Sequence, residues 1–238
     1  MEAKREILDD GYSKVVYATD DPERVILHYK DSASAFQNIK RAVIPGKGAL
    51  ACRIAALLFA YLEERGVATH YLGHPAADDL LCRRLTPVPL RVIVRNISAG
   101  SIVGRFGIPA GTVFERPVVE INMKNPELDD PILNKDHVAA LGIATHDEAD
   151  AMERCARRCD DLLRDLFGRA GIDLADLKVE FGRDASGRLY VLDDLSPDTM
   201  RLWDRASGQS LDRDRYRRDL GDLAEAYQEV LARLTSAL

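Results

Sequence analysis

Lys178, Glu180 and Asp193 are of types, and at a spacing, that could serve phosphate chemistry. In DLKVEFG (176–182) apolar and polar residues alternate. Leu177, Val179 and Phe181 therefore face one side of a strand, with Lys178 and Glu180 on the other. The turn GRDASGR then leads into LYVLDD, which ends in Asp193 and Asp194. If the two arms form a hairpin with Gly182 roughly opposite Leu189, Lys178 sits opposite Asp193 and Glu180 lies on the diagonal, about 7–8 Å away at the backbone. Two carboxylates so placed suit Mg2+, which takes hard oxygen donors and leaves its remaining positions to water and phosphate. The same residues also fit a solvent-facing hairpin with a Lys178 salt bridge, and spacing alone leaves both readings open.

Ser196-Pro197-Asp198 follows as a turn, with proline setting the backbone angle. Arg201 comes soon enough after it to return its guanidinium to the same place, and that planar fork suits phosphate. Trp203 reads as a packing residue.

These groups need a framework. Residues 14–19 and 24–30 are β-rich and joined by DDPE, a turn composition, so they predict a hairpin whose entrance carries Gly11. Residues 48–65 place Leu50, Ile54, Leu57, Leu58 and Tyr61 on one helical stripe, stopped by Gly66. Strands are expected around 80–85 and 89–95, with TPVP between them read as a hinge and lobe boundary. The expected division is an N-terminal lobe, 1–86, and a C-terminal lobe, 87–238. AGSIVGRFGI looks like a loop entering a helix whose free N–H groups can receive an anion. Thr145-His-Asp-Glu148 is a capping box opening a helix to about residue 169, and 212–236 reads as one further helix. Strands and helices mix without βαβ alternation, which predicts an α+β fold.

The chain has 238 residues, enough to bury a substantial core; 46% of them are hydrophobic, 30% are charged, and the formal net charge is -6. That charge argues against a general nucleic-acid binder. With no apolar run of membrane-spanning length and no signal peptide, a cytoplasmic protein with no membrane partner is expected. Cys52, Cys82, Cys155 and Cys159 form no CxxC pair and read as reduced, partly buried thiols. The five histidines are scattered, and none is assigned chemistry.

The chain resembles the SAICAR synthetases, purine-pathway ligases that join L-aspartate to carboxyaminoimidazole ribotide using ATP. The likeness runs nearly end to end, through DDGYSKVVY, YKDSASAF, GKG, VPLRVIVRNISAGS, DLKVEFG and LDDLSPDTMRLWD. It implies a two-lobed α+β fold whose N-terminal lobe is similar to the nucleotide-binding half of protein kinases and ATP-grasp proteins, with ATP and Mg2+ in the cleft. By that resemblance Gly11, Tyr12, Ser13 and Lys14 lie over the phosphates, Arg83 and Leu85 fall in the 82–88 connection near the adenine, and Lys124 is near the site. Glu180 and Asp193 would hold Mg2+, and Lys178 would lie beside the nucleotide phosphates. Arg95, Ser101 and Arg201 would hold the ribotide phosphate, and Asp31 and Asp198 fall on site positions. Small-molecule partners, an imidazole ribotide and an amine such as L-aspartate, are implied, and a homodimer is compatible with the family's habits.

Four departures stand out. The family's second glycine-loop residue is a lysine and here is Tyr12; its Asp-Glu is Asp193-Asp194; a pair of asparagines is Ala51-Cys52; and an Asn-Gly is Gln37-Asn38. Losing a charge-assisted contact at Tyr12 would cost about 1.5–3 kcal/mol. A second reading is therefore a paralogue acting on a purine-derived ribotide, as in coformycin- or pentostatin-type antibiotic pathways, which the 25 Arg against 8 Lys of a GC-rich genome would suit. A third is a catalytically silent ribotide- or nucleotide-binding protein, against which the intact Lys178, Glu180 and Asp193 argue.

Overall fold

A computed structural model describes residues 2–35 and 39–238, so Gln37-Asn38 lies outside the described residues. In chain order the elements are β1 (Ile7–Asp10), β2 (Lys14–Ala18), β3 (Arg24–Tyr29), β4 (Ser32–Ala35), β5 (Lys40–Val43), α1 (Lys47–Glu63), β6 (Tyr71–Ala76), β7 (Asp79–Arg83) and β8 (Thr86–Ile97). There follow α2 (Ser101–Phe106), β9 (Val113–Met123), β10 (Ile132–Leu133), α3 (Lys135–Ala140), α4 (His146–Arg169), β11 (Ile172–Arg183), β12 (Leu189–Leu192), β13 (Met200–Asp204), α5 (Asp214–Arg217) and α6 (Leu223–Ala237).

One antiparallel sheet runs β1-β2-β3-β7-β6, and a second runs β10-β9-β8-β11-β12 with β13 also on β11. The predicted β2–β3 hairpin is present, Lys14 pairing with Tyr29 and Ala18 with Val25. Its turn closes because the Asp21 carboxylate accepts from the Glu23 amide at 2.9 Å, an Asx turn. α1 buries Ile54, Leu58, Phe59 and Leu62 completely. Ala51 and Cys52 lie on the same face at zero exposure, so asparagine amides there would be desolvated. The Thr145 capping box is formed, Thr145 Oγ1 accepting from the Glu148 amide and Glu148 Oε2 from the Thr145 amide at 2.8 Å, and α4 ends at Arg169 as expected. The apolar faces of both sheets and of α1, α4 and α6 join in one core cluster.

Two expectations are corrected. TPVP does not lie between two strands but opens β8, where Thr86 and Pro87 already pair with Arg183 and Gly182. Proline is tolerated there because β9 reaches β8 only from Leu90 onward, so no ladder bond on that side needs the missing N–H. The C-terminal segment is two helices, α5 and α6, because Asp219 (φ 55°) and Gly221 (φ 109°) turn the chain between them.

β11 has an unusual edge. Its first half pairs with β13, Ile172 to Leu177, and its last residues, Glu180 to Arg183, pair with β12. The chain from Asp193 to Thr199 crosses the gap between these two strands, and the Thr199 carbonyl accepts from the Lys178 amide at 3.1 Å. This break in the ladder brings the charged loop against the middle of β11.

Candidate active site

The register of the β11–β12 hairpin is one residue from the expected one. Gly182 faces Tyr190 and Glu180 faces Leu192, while Lys178 lies beside Ile93 of β8 and not opposite Asp193. A one-residue slip should send Asp193 to the other face of the sheet. It does not, because Asp193 adopts φ 73°, the left-handed conformation open to Asp and Asn, and this turns the chain off the strand. Asp193 and Glu180 consequently line one cavity. Leu177, Val179 and Phe181 are buried as expected, leaving Asp176, Lys178 and Glu180 in sequence along the opposite face of β11.

The central cavity, about 330 Å³, is lined by Gly11, Ser13, Lys14, Lys178, Glu180 and Asp193, and also by Asp198 and Arg213. Lys14 Nζ lies 2.8 Å from Asp193 Oδ1 and 3.5 Å from Asp194 Oδ2. Burial opposes its charge, but these two carboxylates more than offset that and hold the ammonium above its usual value. Asp193 is likewise opposed by burial, yet Lys14 keeps it below the ordinary carboxylate range. Glu180 accepts from Arg91 Nε at 2.9 Å and pairs with Lys124. Both acids are thus hard oxygen donors with exchangeable cation partners, a set that fits Mg2+.

The adjoining cavity, about 360 Å³, shares Val16, Leu27, Lys124, Glu180 and Asp193 and adds His70, Cys82, Arg83 and Leu85. Gly182 is required here, since a Cβ would lie 2.9 Å from Leu85 Cβ. Apolar walls with a backbone connection at the rim suit a flat heteroaromatic base. Burial pushes His70 down to about 4, so its ring is neutral.

At the other end of the β11 face, Arg95 Nη2 lies 3.2 Å from Ser101 Oγ, and Arg95 and Arg201 both reach Asp176 Oδ2, at 3.2 and 2.6 Å. The Arg201 guanidinium lies over Gly100 (φ 65°), where an added Cβ would be 2.5 Å from its Nη2. Arg95 and Ser101, neighbours in sequence, are therefore joined by the distant Arg201 at the start of α2.

Three expected residues have partners of their own within the protein. The Tyr12 phenol donates to the Ala33 carbonyl at 3.1 Å and is absent from the lining of the central cavity. Asp31 accepts from the Gly46 and Gly48 amides at 3.1 and 2.9 Å; it anchors the entrance of α1, with both carboxylate oxygens engaged by backbone. Asp198 reaches the cavity but is held by buried Lys47 and by the Tyr227 hydroxyl at 2.7 Å. Sequence reasoning missed Arg91, Lys47, Tyr227 and Arg213. Only the Asp-Arg repeat at 212–217 was a visible signal, and it reads as a solvated helix. Among the described residues no helix is long and apolar enough to cross a membrane.

Two cavities joined at an acidic pair, with an arginine cluster beyond them, define a protein that handles a nucleotide and a second phosphorylated molecule. The family model for SAICAR synthetase matches residues 7–234. The phosphoribosylaminoimidazole-succinocarboxamide synthase of Persephonella marina is 45% identical over 231 residues, 97% of each chain, and that of Fusobacterium nucleatum is 44% identical over 98% of each. Among solved structures, the corresponding synthase of Ehrlichia chaffeensis superposes with a TM-score of 0.94 at 37% identity, covering 97% of this chain and 98% of the other. A SAICAR synthetase in complex with ADP superposes at 0.93, 40% identical, with the same coverage. The chain belongs to the SAICAR synthetase family.

Proposed function

We propose that this protein is an ATP-dependent carbon–nitrogen ligase that joins the carboxylate of carboxyaminoimidazole ribotide to the amine of L-aspartate, with Mg2+ held by Glu180 and Asp193. The observation that carries the reading is the order along one face of β11. Glu180 lies at the junction of the two cavities, Lys178 is next, and Asp176 is bound to Arg95 and Arg201. A nucleotide entering at the base cavity and a ribotide anchored by its phosphate at the arginines would meet at Lys178.

The chemistry is the transfer of the γ-phosphoryl group to a carboxylate oxygen with loss of ADP. The amine then attacks the acyl phosphate and inorganic phosphate leaves. A bound divalent ion would neutralise charge on the transferring group. The chain's own part is alignment and electrostatics: Lys14 meets the phosphates beneath the Gly11–Ser13 loop, and Arg95, Ser101 and Arg201 fix the ribotide. Asp198, locked by Lys47 and Tyr227, holds the Ser196–Thr199 turn in place.

The departures that suggested a specialised paralogue have local explanations. The Tyr12 phenol is held by the Ala33 carbonyl and is absent from the lining of the central cavity. Asp194, a methylene shorter, is met by the Tyr29 hydroxyl at 3.0 Å and the Ser196 hydroxyl at 2.9 Å. The test is to supply ATP, Mg2+, the ribotide and L-aspartate together and singly. ADP release that needs all components, with a product of succinocarboxamide mass, is expected; folded protein giving no such product overturns the proposal.

A further inference from the structure

The outer face of the first sheet carries a separate group of metal-ligand side chains. Val16 and Leu27 turn towards the cavities of the cleft, so His28, next to Leu27 on β3, points the other way. Asp79 is its register partner on β7. Asp78 lies in the two-residue turn between β6 and β7, where its carbonyl accepts from the Tyr29 amide at 2.8 Å. Paired strands therefore fix all three backbones. His28 Nδ1 and one oxygen of each carboxylate lie within 4.8 Å of one another, and among the described residues no other group of three His, Cys or acidic side chains converges in this way. Nδ1 is 2.7 Å from Asp79 Oδ1 and 3.7 Å from Asp78 Oδ2. Neighbouring donors of a zinc ion bound at about 2.0–2.2 Å stand about 3.0–3.5 Å apart, between those two values.

The Lys4 ammonium sits among these groups, 2.7 Å from Asp79 Oδ1 and 3.1 Å from His28 Nδ1. It leaves Nδ1 between incompatible neighbours. With a hydrogen, Nδ1 suits the carboxylate and opposes the ammonium; without one, it suits the ammonium and opposes the carboxylate. A divalent ion at the centre removes the conflict, because a bare Nδ1 and two carboxylate oxygens all offer it lone pairs. Lys4 can yield to such an ion, its side chain being 33% exposed. One imidazole beside two carboxylates favours Zn2+ over Mg2+, which takes oxygen donors. We propose that His28, Asp78 and Asp79 form a site for a zinc-type divalent transition metal, with Lys4 as the internal cation that the metal displaces. The site lies outside the cleft and does not rest on the ligase reading.

The test titrates ZnCl2 into the protein by calorimetry, in excess Mg2+ to fill the acidic pair of the cleft, with Lys4→Met, His28→Asn and Asp78→Asn beside wild type. His28→Asn should weaken zinc binding about tenfold or more, and Lys4→Met should tighten it about threefold or more, since no ammonium then competes for the ligands. Asp78→Asn, at a side chain 43% exposed, carries the same loss if His28→Asn does not fold. Zinc held by the cysteines instead would bind His28→Asn as tightly as wild type, and that result overturns the proposal. So does an absence of zinc binding by wild type, or an affinity that fails to rise in Lys4→Met.

Discussion

Lys14 Nζ and Asp193 Oδ1 are 2.8 Å apart, so one ion pair ties the glycine loop of the first sheet to the loop that leaves β12 in the second. The pair is possible because Asp193 takes a left-handed backbone conformation that cancels the face change its register would impose. Removing the cation in Lys14→Met should lower kcat/KM for ATP about 10- to 100-fold, the worth of a charge-assisted contact of about 1.5–3 kcal/mol. Initial rates at varied ATP read it; a change below threefold would place the phosphates elsewhere.

Asp198 is 8% exposed, and its two oxygens are taken by Lys47, itself 1% exposed, and Tyr227. Asp198→Asn strands a buried ammonium and should cost about 3–5 kcal/mol of stability, against about 1 kcal/mol for Tyr227→Phe, which removes one neutral donor. Denaturant unfolding of both variants compares them directly. A near-neutral Asp198→Asn would mean the carboxylate is held for chemistry rather than structure.

Tyr12→Phe removes the hydroxyl that reaches the Ala33 carbonyl. The ATP KM should stay within twofold while stability drops by about 1 kcal/mol or less. A large rise in KM would return the phenol to the phosphate site.

Much of this was legible in the sequence because it was local. Alternation marked β11, Thr145 and Glu148 marked the start of α4, and DDPE marked the first hairpin turn. The register of β12 was not legible, because a positive φ at an aspartate undoes a two-residue period without leaving a compositional trace. Lys47, Tyr227 and Arg213 were also hidden: each reaches the site from a helix end or helix face whose local pattern reads as packing or solvated charge. The Asp31 family position was visible, but its service to the Gly46 and Gly48 amides appears only when β4 and α1 are brought together.

Asp160 lies buried under β8, with Oδ1 accepting from Asn96 Nδ2 at 2.8 Å and Oδ2 without a partner. Burial raises its pKa from 3.8 to about 6. Between those values the folded state holds a proton that the unfolded state has lost, so stability falls as pH rises through this window and stays lower above it. About two pKa units correspond to a cost of about 3 kcal/mol at neutral pH. Unfolding free energies measured from pH 4 to 7 should show this decline in wild type and a flatter profile in Asp160→Asn; parallel profiles would contradict the assignment.

The central claim is that the cleft drives amide formation through phosphoryl transfer to the ribotide carboxylate. Ribotide labelled with oxygen-18 in that carboxylate, incubated with ATP, Mg2+ and L-aspartate, tests it most directly. The account predicts one labelled oxygen in the inorganic phosphate released with each product molecule. Unlabelled phosphate alongside product would contradict it.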